Sequence, residues 1–238
     1  MGKIEVKKFI LAVIALSVMV FAACNGEING SINEDGSGSF TVETVLIKSL
    51  VPQFGKTLSA SQVEASFKNA PGISSISMKD RGNGFGAIGG EVLVNNIGDF
   101  LKIPAVLTSH TGNAKQFIDY DSAGRITVTI NRDTSPAIIS LLSQDMQDYL
   151  SVLQPPVLMG TVLSKAAYLK QLKVFGYNDA MISELDKAKI TVNIEFPRPL
   201  KEIKGGVKSA KNERSGVFDL ALIDLMVLEK ETVWQAIW

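Results

Sequence analysis

The sequence holds one cysteine and one histidine in 238 residues. A single thiol excludes an intramolecular disulfide, a CxxC redox pair and every cysteine-based zinc site. The core therefore holds without staples, and a chain of this length buries enough apolar surface to do so. A single imidazole leaves His110 as the only base a Ser-His-acid triad could use. It sits in the polar, turn-like stretch Thr108-Ser109-His110-Thr111-Gly112, with nothing like a nucleophile elbow beside it, and reads as an exposed loop residue. No charge surplus exists either, with 24 Lys and Arg against 24 Asp and Glu. Without residues 1–23, which carry three Lys and one Glu, the balance is 21 basic to 23 acidic. No basic surplus is left to track phosphates, so nucleic acid is not an expected partner. Beyond residue 24 no apolar run reaches the ~18 residues of a spanning helix, and there is no internal repeat, low-complexity segment or long linker.

The first 24 residues carry the strongest pattern. Lys3, Lys7 and Lys8 form a positive n-region, and Phe9 to Ala23 then runs 15 residues without a charge. That is the length of a signal-peptide core and short of the ~20 residues that span a bilayer. Ala22-Ala23 immediately before Cys24 resembles the lipobox of bacterial lipoproteins, with Phe21 where Leu is commonest. In that reading residues 1–23 are removed and Cys24 becomes the lipid-bearing N-terminus. The protein is then exported to the cell envelope and tethered to a membrane. The alternatives are an ordinary signal peptide and an uncleaved anchor. Cleavage after Ala23 by the ordinary route would put bulky Phe21 where a small residue is wanted.

Residues 24–238 read as one α+β domain. Ile28 to Ile32 and Phe40 to Ile47 form a hairpin around Asn33-Glu34-Asp35-Gly36-Ser37-Gly38. Ser59 with Gln62, or Ser61 with Glu64, offers a capping box for a short helix ending near Pro71-Gly72. Strands follow near 73–78, 91–94 and 126–130, the last preceded by a turn at 121–124. The middle changes to helical period. Ser135-Pro136 has the form of a cap followed by proline at the first helical position, and Ile138, Leu141, Leu142, Met146, Tyr149, Leu150 and Leu153 share one stripe. Helices are expected at about 161–175 and, capped by Asn178, to about 187. Ile190, Val192, Ile194 and Phe196 then alternate as a strand, and strands near 217–222 and 232–238 follow. The architecture expected is an antiparallel sheet built from N- and C-terminal strands, with the helical segment of about 135–187 packed on one face.

Chemistry-bearing motifs are sparse. Gly84-Phe85-Gly86-Ala87-Ile88-Gly89 matches GxGxxG, yet a strand (Glu91 to Val94) follows where a dinucleotide site needs a helix. A glycine-rich hairpin or bulge is the reading that fits. Asp119 with Asp121, and Asn131 with Asp133, lack the spacing of a calcium loop and flank turns where such residues belong. No cofactor, metal site or catalytic constellation is expected, and the protein does not read as an enzyme.

One apolar feature stands out. Val157-Leu158-Met159-Gly160-Thr161-Val162-Leu163 joins two helical segments without a single charge, whereas such connections are normally solvated. It is either a buried turn closing the core or a lip, formed by Val157, Leu158, Met159, Val162 and Leu163, that meets lipid or a partner.

Several motifs together carry a resemblance. Pro155-Pro156-Val157 with Gly160, Tyr168, Gly176-Tyr177, Phe196-Pro197, Gly205-Gly206, Leu222 to Glu229 and Trp238 resemble uncharacterised lipoproteins of spirochaetes. Asp35-Gly36-Ser37-Gly38-Ser39, soon after Cys24, is similar to a turn of the LppM-type lipoproteins of mycobacteria, a likeness confined to the strand-rich ends. The LppM resemblance implies an α/β fold with an apolar cavity and binding of lipid, and it brings no catalytic residue. The expected function is thus a membrane-tethered, non-enzymatic module binding lipid or another hydrophobic ligand. The alternative is a structural protein docking an envelope partner, and an envelope hydrolase is the distant third.

Overall fold

The computed structural model describes residues 25–45, 59–67, 72–81, 87–97, 118–135 and 151–238. Cys24, His110, Gly84 and the helical stripe from Ile138 to Leu150 lie outside them. The described residues form eleven strands and four helices, an α+β fold. In chain order they are β1 Asn25–Ile32, β2 Gly38–Val45, α1 Ala60–Phe67, β3 Ile73–Asp80, β4 Ile88–Val94, β5 Ile118–Asp121, β6 Arg125–Ile130, α2 Lys165–Val174, α3 Asp179–Lys187, β7 Lys189–Glu195, β8 Glu202–Lys204, β9 Val207–Lys208, β10 Ser215–Ala221, α4 Leu222–Val227 and β11 Thr232–Ile237.

The expected single antiparallel sheet is corrected in two ways. Among the described residues there are two sheets, one of seven strands in the order β3-β4-β2-β1-β7-β10-β9 and one of four in the order β5-β6-β11-β8. The larger sheet is mixed, because β1 pairs with β7 in parallel, Ile28 opposite Val192. It does join the two ends of the chain, as the sequence predicts.

Register explains which side chains enter the core. Met78, Gly90, Val42, Ile28, Val192 and Phe218 follow one another across six strands, and every side chain of that row is buried. The residues one position away, Glu43, Glu27, Thr191 and Asp219, form an adjacent row on the solvated face, as strand period two requires. Gly89 and Gly90, the last glycines of the 84–90 stretch, lie within β4. A Cβ on Gly90 would come within 2.3 Å of the Ser77 carbonyl oxygen, so close approach of strands, and no phosphate, accounts for that glycine. At the mouth of this β3–β4 hairpin the Arg81 N–H donates to the Ala87 carbonyl at 2.7 Å.

Aromatic contacts join the sheets. Phe196, just past β7, stacks on Trp238 at 4.9 Å between ring centroids, and Phe218 of β10 meets Trp234 of β11 at 5.5 Å. Gly205-Gly206 carries the chain from one sheet to the other. Gly205 has φ +71° and its Cβ would lie 2.1 Å from the Val233 carbonyl oxygen, while a Cβ on Gly206 would strike the Phe218 ring.

The helix caps follow the sequence closely in α3, where the Asn178 side chain accepts from the Met181 N–H at 2.9 Å. α2 starts four residues later than expected, with Ser164 as its cap. The capping box proposed for Ser61 and Glu64 is corrected. Glu64 turns instead to the sheet and accepts from the Met78 N–H at 3.1 Å, and the Ala60 N–H finds Asp80 at 2.8 Å. Helix and strand are thereby tied in both directions.

Candidate functional site

The apolar connector is a single helical turn with a Schellman-type end. The Met159 N–H donates to the Pro155 carbonyl at 3.1 Å and the Thr161 N–H to that of Pro156 at 2.9 Å. Gly160 between them takes φ +66°, the left-handed position at which this motif places glycine. Two prolines open the turn and fix φ on the way in. These bonds pair the Met159 and Thr161 N–H groups within the turn itself.

Its side chains divide. Pro155, Pro156 and Val157 are buried. Leu158 and Leu163 are half-buried and pack on the core. Met159 and Val162 project from it, 59% and 80% exposed. Val157 is therefore a core residue, which corrects its place in the lip. Of the five expected lip residues, the structure brings only Met159 and Val162 fully to the surface.

The turn is held by a helix that the sequence pattern did not disclose. In α4, Leu222, Ile223, Leu225, Met226 and Val227 are all buried, so no amphipathic stripe marks it. The Val157 N–H donates to the Met226 carbonyl at 3.1 Å. Arg132, from the turn after β6, closes the arrangement. Its Nε donates to the Leu228 carbonyl at 3.1 Å, Nη1 to that of Thr161 at 2.6 Å, and Nη2 to that of Val227. A guanidinium at a helix C-terminus serves carbonyls with no partner inside the helix, and here it also pins the connector. Leu228 itself sits at φ +45°, a left-handed conformation that is costly for leucine. A single Arg between Asn131 and Asp133 gave no signal for this role.

Two tyrosines brace the same region. The Tyr168 hydroxyl donates to the Leu153 carbonyl at 2.6 Å and the Tyr177 hydroxyl to that of Val152 at 3.0 Å. Burial raises the pKa of both, and Tyr177 nearby adds to the shift at Tyr168.

A concavity lies at the C-terminal ends of β1 and β7. It encloses about 550 Å³ and is lined by Ser31, Asn33, Glu34, Glu195, Phe196 and Arg214, among others. Its lining is mostly polar, with Arg214 and Glu195 ion-paired. It is therefore unlike the apolar cavity expected. Among the described residues no group of three or more His, Cys, Asp or Glu is placed to hold a metal ion, and no helix is long and apolar enough to cross a membrane.

No family model and no curated protein matches the chain. Among solved structures it is similar to the folded domain of the LppM protein of Mycobacterium tuberculosis, determined by NMR. The TM-score is 0.37 at 9% identity, over 89% of this chain and 86% of that one. A likeness that loose defines no shared function. It falls on the LppM side of the expected resemblance, and nothing found bears on the spirochaetal side.

Proposed function

We propose that the protein is an exported lipoprotein, tethered to a membrane of the cell envelope through lipid on Cys24, whose folded body engages a lipid or another hydrophobic ligand without catalysing a reaction. The observation that carries the second half is the exposure of Met159 and Val162, 59% and 80%, on a turn whose backbone is fixed by hydrogen bonds at both ends. An unsupported apolar loop would fold inward. This one is held outward, as a surface for apolar contact needs to be.

Native mass spectrometry of residues 25–238, made without the leader, tests the reading. Lipid that co-purifies with the wild-type protein and is lost from Val162→Asp at unchanged melting temperature supports it. A protein that takes up no fatty acid or phospholipid in solution and, when acylated, keeps Val162 out of contact with membrane lipid contradicts it and favours docking of an envelope protein.

A further inference from the structure

A chain of hydrogen bonds and an ion pair links the connector to the first residue of β1, next to the proposed anchor. β1 begins at Asn25, one residue after Cys24, so no linker separates the acylated residue from the folded sheet. At that first position the Lys189 N–H donates to the Asn25 side chain at 3.3 Å. Two independent routes then lead from Lys189 to the connector. Along the first, Asp186 in the last turn of α3 pairs with Lys165 at 2.7 Å, and Lys165 opens α2 directly after Leu163-Ser164. Along the second, the Leu222 N–H donates to the Ala188 carbonyl at 2.9 Å, and Arg132 links the end of the short α4 to the carbonyl of Thr161. The polar cleft is at the opposite end, across the eight residues of β1, about 25 Å at the rise of an extended strand.

We infer that Met159 and Val162 rest in the apolar margin of the bilayer that holds the Cys24 lipid, which turns the polar cleft toward solvent. The inference builds on the anchor proposed above and names the bilayer, in place of a solitary captured lipid, as what the exposed tip meets. The anchor makes the contact intramolecular. It raises the effective concentration of the surface at the tip, so two apolar side chains suffice where they would not bind a membrane alone.

The test uses the full, acylated protein in vesicles of phosphatidylethanolamine and phosphatidylglycerol. Cys24 is the chain's single cysteine and its sulfur is blocked by lipid, so Met159→Cys or Val162→Cys gives a single site for an environment-sensitive dye. Lys211→Cys, an exposed position near the cleft end, serves as the reference. The dye at 159 and 162 is expected to shift to the blue and to be quenched by nitroxide-bearing phospholipid, while the dye at 211 does neither. Vesicle-bound protein whose dye at 162 stays as wet as at 211 overturns the inference and leaves the anchor standing. Failure to float with vesicles, with no acyl mass on the Cys24 peptide, overturns the anchor and the inference together. Equal quenching at 162 in Cys24→Ala protein that stays free of vesicles on flotation would mean a captured lipid molecule, and also overturns it.

Discussion

The Tyr168 hydroxyl lies 2.6 Å from the Leu153 carbonyl oxygen, with both residues fully buried. The bond ties the segment that leads into the connector to the middle of α2. Removing the donor leaves a buried carbonyl without a partner, so Tyr168→Phe is expected to cost about 1–2 kcal/mol. The phenol's pKa is raised in the folded protein by burial. Stability from this group is then complete below the unfolded value of about 10 and declines as pH rises above it. Urea unfolding at pH 7 and again above pH 10 should show a smaller alkaline loss in Tyr168→Phe than in the wild type.

Charge placed on the connector should separate its two halves. Val157 is 6% exposed and Val162 is 80% exposed. Val157→Asp buries an unpaired carboxylate and is expected to cost on the order of 3 kcal/mol or more. Val162→Asp should leave the melting temperature nearly unchanged. Equal melting temperatures for the two variants would contradict the division described for this turn.

Much of the local structure was legible in the sequence, and little of the long-range structure was. The β1–β2 hairpin, the Asn178 cap and the alternation from Ile190 to Phe196 came from short-range chemistry and are present as expected. Apolar alternation states which face of a strand is buried and is silent on its neighbour. The parallel partnership of β1 with β7, whose residues are 164 apart in sequence at Gly26 and Ile190, was therefore invisible. Helix α4 was hidden because it is buried nearly all round, and β8 and β9 because three- and two-residue strands carry no period. The connector is marked in the sequence by its lack of charge. Which of its residues face inward depends on Arg132 and Met226, and no local pattern encodes that.

Arg132 should be irreplaceable by lysine. Its three carbonyl partners, on Thr161, Val227 and Leu228, lie in different directions, which a forked guanidinium serves and a single ammonium on a flexible stem does not. Arg132→Lys and Arg132→Met are both expected to lose about 2 kcal/mol or more. Hydrogen exchange should show the loss as faster exchange at Val157 and Thr161. A lysine variant as stable as the wild type would contradict the bridging role.

Asp219 offers an acid-side test. The Thr191 hydroxyl, followed by Lys189, holds its carboxyl below the ordinary value. Because the folded pKa is the lower one, the stabilisation is present above the unfolded value of about 4 and is lost as pH falls through the folded one. Asp219→Asn should therefore flatten the acid limb of a stability-against-pH curve. An unchanged limb would count against the Thr191 contact.

The anchor is tested most directly at its own atom. Wild-type protein recovered from membranes should yield an N-terminal peptide that begins at Cys24 and carries the mass of a diacylglyceryl thioether. Metabolic labelling with a fatty-acid analogue should be abolished in Cys24→Ala, and that variant should leave the detergent phase for the aqueous one. An N-terminal peptide that begins elsewhere, or labelling that persists without the Cys24 sulfur, would contradict the membrane-tethered account.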